Sequence, residues 1–278
     1  MAGDRQGLGV FGEDERGAPP AGPAGGRVER DIPYGPDPAQ RYDVYLPQHP
    51  TKSAAVIFMV HGGAWLIGDK TSRGVVGNKA AHWLSQGVVF ISVNYRLVPK
   101  ADPLGQAEDL AKALSAAQAK APSWGADPGR FVLMGHSAGA HLVALLAADP
   151  AIARRQGARP WLGSIPLDSA ALDLEAIMKG RHLRFYDRVF KDDPAYWRQA
   201  SPLARLTGRP APMLVVCSSR RADSCPHARA FVAKATALGG RASVLPKPLS
   251  HREINVTLGE PGPYTAAVDG FLRSIGVP

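Results

Sequence analysis

Hydrophobic residues fall in short, nearly uninterrupted runs along this chain. Residues 54–60 (AAVIFMV), 87–93 (GVVFISV) and 131–134 (FVLM) are each bounded by glycine or polar residues. Runs of this length without period-2 alternation predict strands buried on both faces, and residues 161–167 predict another. Residues 41–46 differ, because Tyr42, Val44 and Leu46 recur on one side; that alternation predicts an early, antiparallel strand. Between these runs the composition turns to Ala, Leu, Lys and Gln. It predicts helices over 79–85, over 104–120 and over 138–148, the last stopping at Asp149-Pro150. Strands alternating with helices predict a mainly parallel sheet covered by helices on both faces.

The run 131–134 leads directly into Gly135-His136-Ser137-Ala138-Gly139, and a helical pattern follows at once. A serine on a strand-to-helix corner sits on a strained turn with its hydroxyl exposed, and small flanking residues are what so tight a corner needs. Ser137 is therefore the candidate nucleophile. A hydroxyl needs a base, an orienting acid and an oxyanion hole. His61-Gly62-Gly63-Ala64-Trp65 directly follows the run 54–60, which puts small residues with accessible backbone N–H groups at a strand's C-terminal end. Gly63 and Ala64, with Ala138 after the serine, are the candidate oxyanion donors, and Gly62 is an alternative.

With these two motifs the chain resembles the α/β-hydrolase family, over about residues 28–276. Within it the chain resembles the esterase branch with an HGG-x-W loop, which includes hormone-sensitive-lipase-like carboxylesterases and kynurenine-formamidase-like enzymes. The resemblance implies an α/β-hydrolase fold and a triad in the chain order Ser, Asp, His, with the acid after a late strand and the base after the last. Residues 212–217 match that late strand, and Asp223 follows in the loop before Pro226. Residues 242–245 match the last strand, and His251 follows Pro248-Leu249-Ser250. The resemblance thus assigns Asp223 as acid and His251 as base. Asp168 and Asp173, which follow residues 161–167, compete for the acid's role; Asp168 is alternatively part of the site floor near the serine. His182 lies among arginines and His227 opens a helix, so both read as surface residues. His136 and His141 flank the serine, the first packed beside the turn and the second on the following helix. Asn94-Tyr95-Arg96-Leu97 resembles a family scaffold segment.

Residues 171–200 break the strand–helix rhythm. Leu172, Leu174, Ile177 and Met178 precede Phe185, Tyr186, Val189, Phe190, Tyr196 and Trp197. The segment falls between two strands, where family members insert a cap. It is expected as a short helical cap walling the pocket, with a peripheral helical pair as the alternative.

The 278 residues fit one large domain over 27–278. Residues 1–26 are Gly-, Pro- and Ala-rich without periodicity and are expected as a disordered or loosely draped tail. The net charge of +9 is uneven: residues 1–50 carry five Lys/Arg against eight Asp/Glu, so residues 51–278 carry +12. The basic residues are dispersed and accompany no nucleic-acid motif, so a solvated basic surface is expected and no nucleic-acid partner. No apolar run reaches the ~20 residues of a membrane span. No signal-peptide pattern opens the chain, which leaves a cytosolic enzyme or a chain beginning after a removed export signal. No His/Cys cluster has metal-ligand spacing, and no cofactor is expected. Cys217 and Cys225 bracket Asp223. A bond between them would restrain the loop carrying it and favour an oxidising compartment; free thiols are equally compatible with the sequence.

The expected reaction is hydrolysis of a small-molecule carboxylic ester of short to medium acyl chain through an acyl-enzyme. Aryl-formamide hydrolysis is the alternative chemistry, and a catalytically inactive binding protein on the same fold is the alternative class. The oligomeric state is not legible in the sequence.

Overall fold

The computed structural model describes residues 26–49, 52–169 and 171–278. Along the chain run β1 (Arg27–Pro33), β2 (Arg41–Leu46), β3 (Ala54–Val60), α1 (Arg73–Leu84), β4 (Val89–Val93) and α2 (Pro103–Lys120). Then come β5 (Ala126–His136), α3 (Ala138–Ala148), α4 (Ala151–Arg155) and β6 (Gly163–Leu167). Four short helices follow, α5 (Leu174–Lys179), α6 (Phe185–Phe190), α7 (Pro194–Ala200) and α8 (Pro202–Arg205). The chain ends with β7 (Met213–Ser218), α9 (Ser224–Ala237), β8 (Ala242–Lys247), α10 (His251–Val256) and α11 (Pro263–Ser274).

The eight strands among the described residues form one sheet in the order β1-β2-β4-β3-β5-β6-β7-β8. β2 is antiparallel to both β1 and β4, and every other pairing is parallel. The apolar runs lack alternation because both faces of the sheet are covered. Val56, Phe58 and Val60 of β3 pack on the side of α2 and α3, whereas Ile57 and Met59 pack on the side of α1 and α11.

Register fixes the site. Val60 pairs with both Val93 and Gly135, and His136 pairs with Leu167. The segments that follow β3, β5 and β6 therefore emerge side by side at one edge of the sheet, where ligands bind in open α/β folds. α3, Ala/Leu/Val-rich and buried throughout, packs behind that edge.

β1 lies outside the expected elements. Its sequence RVERDIP carries little apolar signal, and it exists by pairing with β2 through an irregular register near Glu29 and Ile32. β5 begins five residues before the apolar run at 131–134, because Ala126 already pairs with Ala54. The expected tail at 1–26 lies outside the described residues except for residue 26. No helix among the described residues is long and apolar enough to cross a membrane.

Candidate active site

Ser137 occupies the corner between β5 and α3 with φ 57° and ψ −117°. That is a region L-residues avoid, at a cost on the order of 1–3 kcal/mol. The corner is held because the Ser137 N–H donates to Leu167 O at 3.0 Å. α3 also comes so near the end of β3 that a Cβ at Gly139 would lie 2.4 Å from Val60 O. Only glycine allows that approach, and it aims the α3 N-terminus at the serine.

His251 opens α10, and its Nε2 lies 2.9 Å from Ser137 Oγ. A capping box fixes the position, with Ser250 Oγ accepting from Glu253 N–H and the Glu253 carboxylate accepting from Ser250 N–H. The His136 ring lies against His251 with centres 4.5 Å apart and planes tilted by 37°, and its Nε2–H donates to His251 O. Burial, then the neighbouring His251, pushes His136 well below the usual imidazole range, so it stays a neutral donor.

The carboxylate that meets His251 is Asp168, not Asp223. Asp168 Oδ2 lies 2.5 Å from His251 Nδ1. The Asp223 side chain is 53% exposed and pairs with Arg221 Nη2 at 3.4 Å. The physical reason is position. Asp168 directly follows β6, whose last residue pairs with His136, so it stands next to Ser137. Asp223 lies five residues past β7, at the start of α9. Asp168 takes φ 56° and is fully buried. Burial alone would push its carboxyl up, but the hydrogen bond and charge of His251, the Arg221 cation and the Ser224 hydroxyl outweigh this and hold it below the usual carboxylate range. Its Oδ1 accepts from Ser218 N–H at 2.7 Å and from Ser224 Oγ.

The segment after β3 is a strained turn. Gly63 has φ 113°, and Ala64 and Trp65 have φ 51° and 62°. A Cβ at Gly63 would meet Ile67 O at 2.0 Å. Tyr95 stacks on His61 and donates to His61 O at 3.0 Å. Trp65 Nε1–H donates to His141 Nδ1 at 3.2 Å, and His141 Nε2–H donates to Ala200 O at 2.7 Å. A neutral His141 thus ties this turn to the end of α7. Burial pushes its imidazole down to about 4.

A cavity of about 450 Å³ opens above Ser137. Ala64, Trp65 and Ala138 line it beside Ser137, together with the apolar side chains of Ile177, Leu183, Phe185 and Tyr186 and with Arg221 and His227. Gly63, the residue before Ala64, is not among the lining residues. Tyr186 and Phe190 approach Trp65 with ring centres 5.9 and 4.8 Å away, so residues of the segment 171–200 wall the site. His182, expected at the surface, lines the cavity and bonds Asp187 through Nε2 at 2.9 Å. His227 lines it too. Cys217 and Cys225 are disulfide-bonded, with Cα atoms 5.1 Å apart. Arg221, Ser218 and Ser224 escaped the sequence reading; the cysteine bracket around residues 218–224 was the signal that the loop is built. No group of three His, Cys, Asp or Glu able to hold a metal occurs among the described residues.

The BD-FAE family model matches residues 42–157. Esterase LipC of Mycobacterium tuberculosis is 30% identical over 265 residues, which is 88% of this chain and 65% of that protein. A probable isoprenylcysteine alpha-carbonyl methylesterase, ICME, of Oryza sativa subsp. japonica is 32% identical over 131 residues, 47% of this chain and 31% of that protein. The chain therefore spans less than two thirds of these relatives' lengths. Among solved structures, esterase B from Lactobacillus Rhamnosis superposes with a TM-score of 0.74 at 19% identity, covering 92% of this chain and 86% of that one; this likeness is one of fold. With the strained Ser137 corner, the turn after β3 and the sheet order, these similarities show an α/β-hydrolase fold and a resemblance to the esterases that carry it.

Proposed function

We propose that this chain hydrolyses carboxylic esters of short to medium acyl chain, with Ser137 as nucleophile, His251 as base and Asp168 as the orienting acid. The observation that carries the reading is the continuous relay from Ser137 Oγ through His251 to Asp168 Oδ2, with steps of 2.9 and 2.5 Å. An ionised Asp168 accepts from His251 Nδ1–H, which leaves Nε2 free to take the serine proton. Ser137 Oγ then attacks the ester carbonyl carbon, and the N–H groups of Ala64 and Ala138, with Gly63 beside them, receive the oxyanion. His251 returns the proton to the departing alcohol. Water, deprotonated by the same imidazole, releases the acid and regenerates Ser137.

The esterase relatives LipC and ICME support an ester as the substrate. The acyl range rests on the cavity of about 450 Å³ and its apolar wall, which suits small ligands. The test is a panel of aryl esters of increasing acyl length with an N-formyl arylamine beside them, run on wild type and Ser137→Ala. Ester turnover is expected, falling by about 10⁶-fold in the variant. Undiminished turnover by Ser137→Ala would overturn the assignment. A strong preference for the formamide would move the substrate to the other acyl-transfer class.

A further inference from the structure

We propose that Arg221 is a positioning residue for the triad, carried on a disulfide-closed loop that cradles the acid and keeps the histidine in its productive tautomer. The inference rests on reading Ser137, His251 and Asp168 as a triad. The loop between Cys217 and Cys225 sends three donors to one carboxylate. Ser218 N–H and Ser224 Oγ serve Asp168 Oδ1, and Arg221 Nη1 serves Oδ2 at 3.0 Å. The disulfide ties the end of β7 to the start of α9, so all three donors sit on a short closed segment. The strand after which the resemblance expects the acid instead supplies the acid's holder.

Arg221 Nη1 is also 3.0 Å from His251 Nδ1. Nδ1 has one in-plane site, and the carboxylate at 2.5 Å claims it for an Nδ1–H donor. The guanidinium then acts on the ring as a fixed positive charge beside Nδ1. It opposes the imidazolium and balances the buried Asp168 at the same time. Remove the carboxylate and the relation inverts. Arg221, which can only donate, hydrogen-bonds Nδ1 and leaves the proton on Nε2, where it faces the serine and blocks proton uptake. Other charged or titratable groups surround His251: Asp223 beyond Arg221, His136 against the ring, Arg252 and Glu253 on the same helix, and Arg220, the partner of Glu253, on the loop after β7. Arg181, His182 and His227 line the same cavity as His251.

The readout is the rate of Ser137 labelling by a fluorophosphonate as a function of pH. The serine oxygen bonds phosphorus, fluoride leaves, and His251 takes the proton, so no natural substrate is needed. Arg221→Met is expected to move the acid limb of the profile to higher pH by about one unit, roughly a tenfold loss of rate below the limb. Arg221→Lys restores part of the shift. Asp168→Ala labels slowly, and Asp168→Ala with Arg221→Met labels several-fold faster than Asp168→Ala alone, a coupling that a merely structural arginine does not produce. Thermal melts of each variant report on folding, and a variant that has lost its melt is replaced by Arg221→Lys for the pH comparison. An unmoved limb with normal labelling, or a double variant no faster than Asp168→Ala, overturns the role of Arg221. Failure of the wild type to label at Ser137 overturns the triad itself.

Discussion

Asp168 and Asp223 share one guanidinium but not one environment. Arg221 reaches Asp168 at 3.0 Å, where the carboxylate is fully buried, and Asp223 at 3.4 Å, where the side chain is 53% exposed. Solvent screens the second pair to ~0–1 kcal/mol, whereas the first sits where charge is poorly screened and every lone pair counts. The role proposed for the acid needs an ionised, oriented carboxylate, which the buried member offers.

The two aspartates should therefore separate cleanly by kinetics. Asp168→Ala is expected to lower kcat by ~10³–10⁴-fold, the scale of losing a triad carboxylate. Asp223→Asn should keep kcat within several-fold and express any effect in KM. Steady-state rates on an aryl ester decide it, and the reverse ranking would return the acid's role to the loop after β7.

The difference between these residues also marks what was legible beforehand. Ser137, the turn after residue 60 and His251 could be placed because each directly follows or nearly follows an apolar run, and apolar runs are readable. The parallel sheet was legible for the same reason, since burial on both faces removes alternation. Asp168 and Asp223 both follow such runs, and both satisfy the order Ser, Asp, His. What separates them is register, with His136 opposite Leu167, and register between strands distant in sequence leaves no local trace. β1 escaped because its stability comes from pairing with β2, not from its own composition. Arg221 read as one of many dispersed cations, since its meaning lies in a contact with a residue 53 positions away.

The serine corner predicts a trade of stability for function. Ser137 at φ 57° bears a Cβ in a region only glycine enters without strain. Ser137→Ala and Ser137→Gly both remove the hydroxyl, so their difference isolates the backbone. Ser137→Gly is expected to be more stable than Ser137→Ala by about 1 kcal/mol, a few degrees in Tm. Differential scanning calorimetry at one pH checks it; equal melting would mean that the corner is not strained.

His141 predicts an acid limit to stability. Its imidazole is pushed down to about 4 by burial, whereas in the unfolded chain it titrates near 6.5. Between those values the unfolded state binds the extra proton. The contribution is complete above pH 6.5 and declines as pH falls towards 4. The full loss is about 3 kcal/mol. Protonation would also remove the acceptor of Trp65 Nε1–H, loosening the turn after β3 from α7. His141→Gln keeps a donor and an acceptor but does not titrate, so its urea-unfolding free energy should fall less steeply over that window. Parallel slopes for the two proteins would assign the acid sensitivity elsewhere, with His61 and His136, both also lowered by burial, the next residues to replace.

The helices between β6 and β7 predict how acyl length is read. Ile177 on α5 and Phe185 and Tyr186 on α6 line the same cavity as Ala64, Trp65 and Ala138. Phe185 and Tyr186 stack on each other at 4.4 Å, and Tyr186 packs on Trp65, so the aromatic part of the wall is braced. Ile177 lines the same cavity and is only partly buried against the core, which makes it a position where bulk can be added with little repacking. Each methylene that an apolar pocket accepts or refuses is worth ~1–3 kcal/mol in kcat/KM. Ile177→Trp should therefore leave acetate esters nearly unaffected while lowering kcat/KM for hexanoate and longer esters by at least about tenfold. Ile177→Ala should extend the range upwards. If both variants shift all chain lengths equally, the acyl group does not lie against α5, and the wall formed by Arg221 and His227 becomes its place.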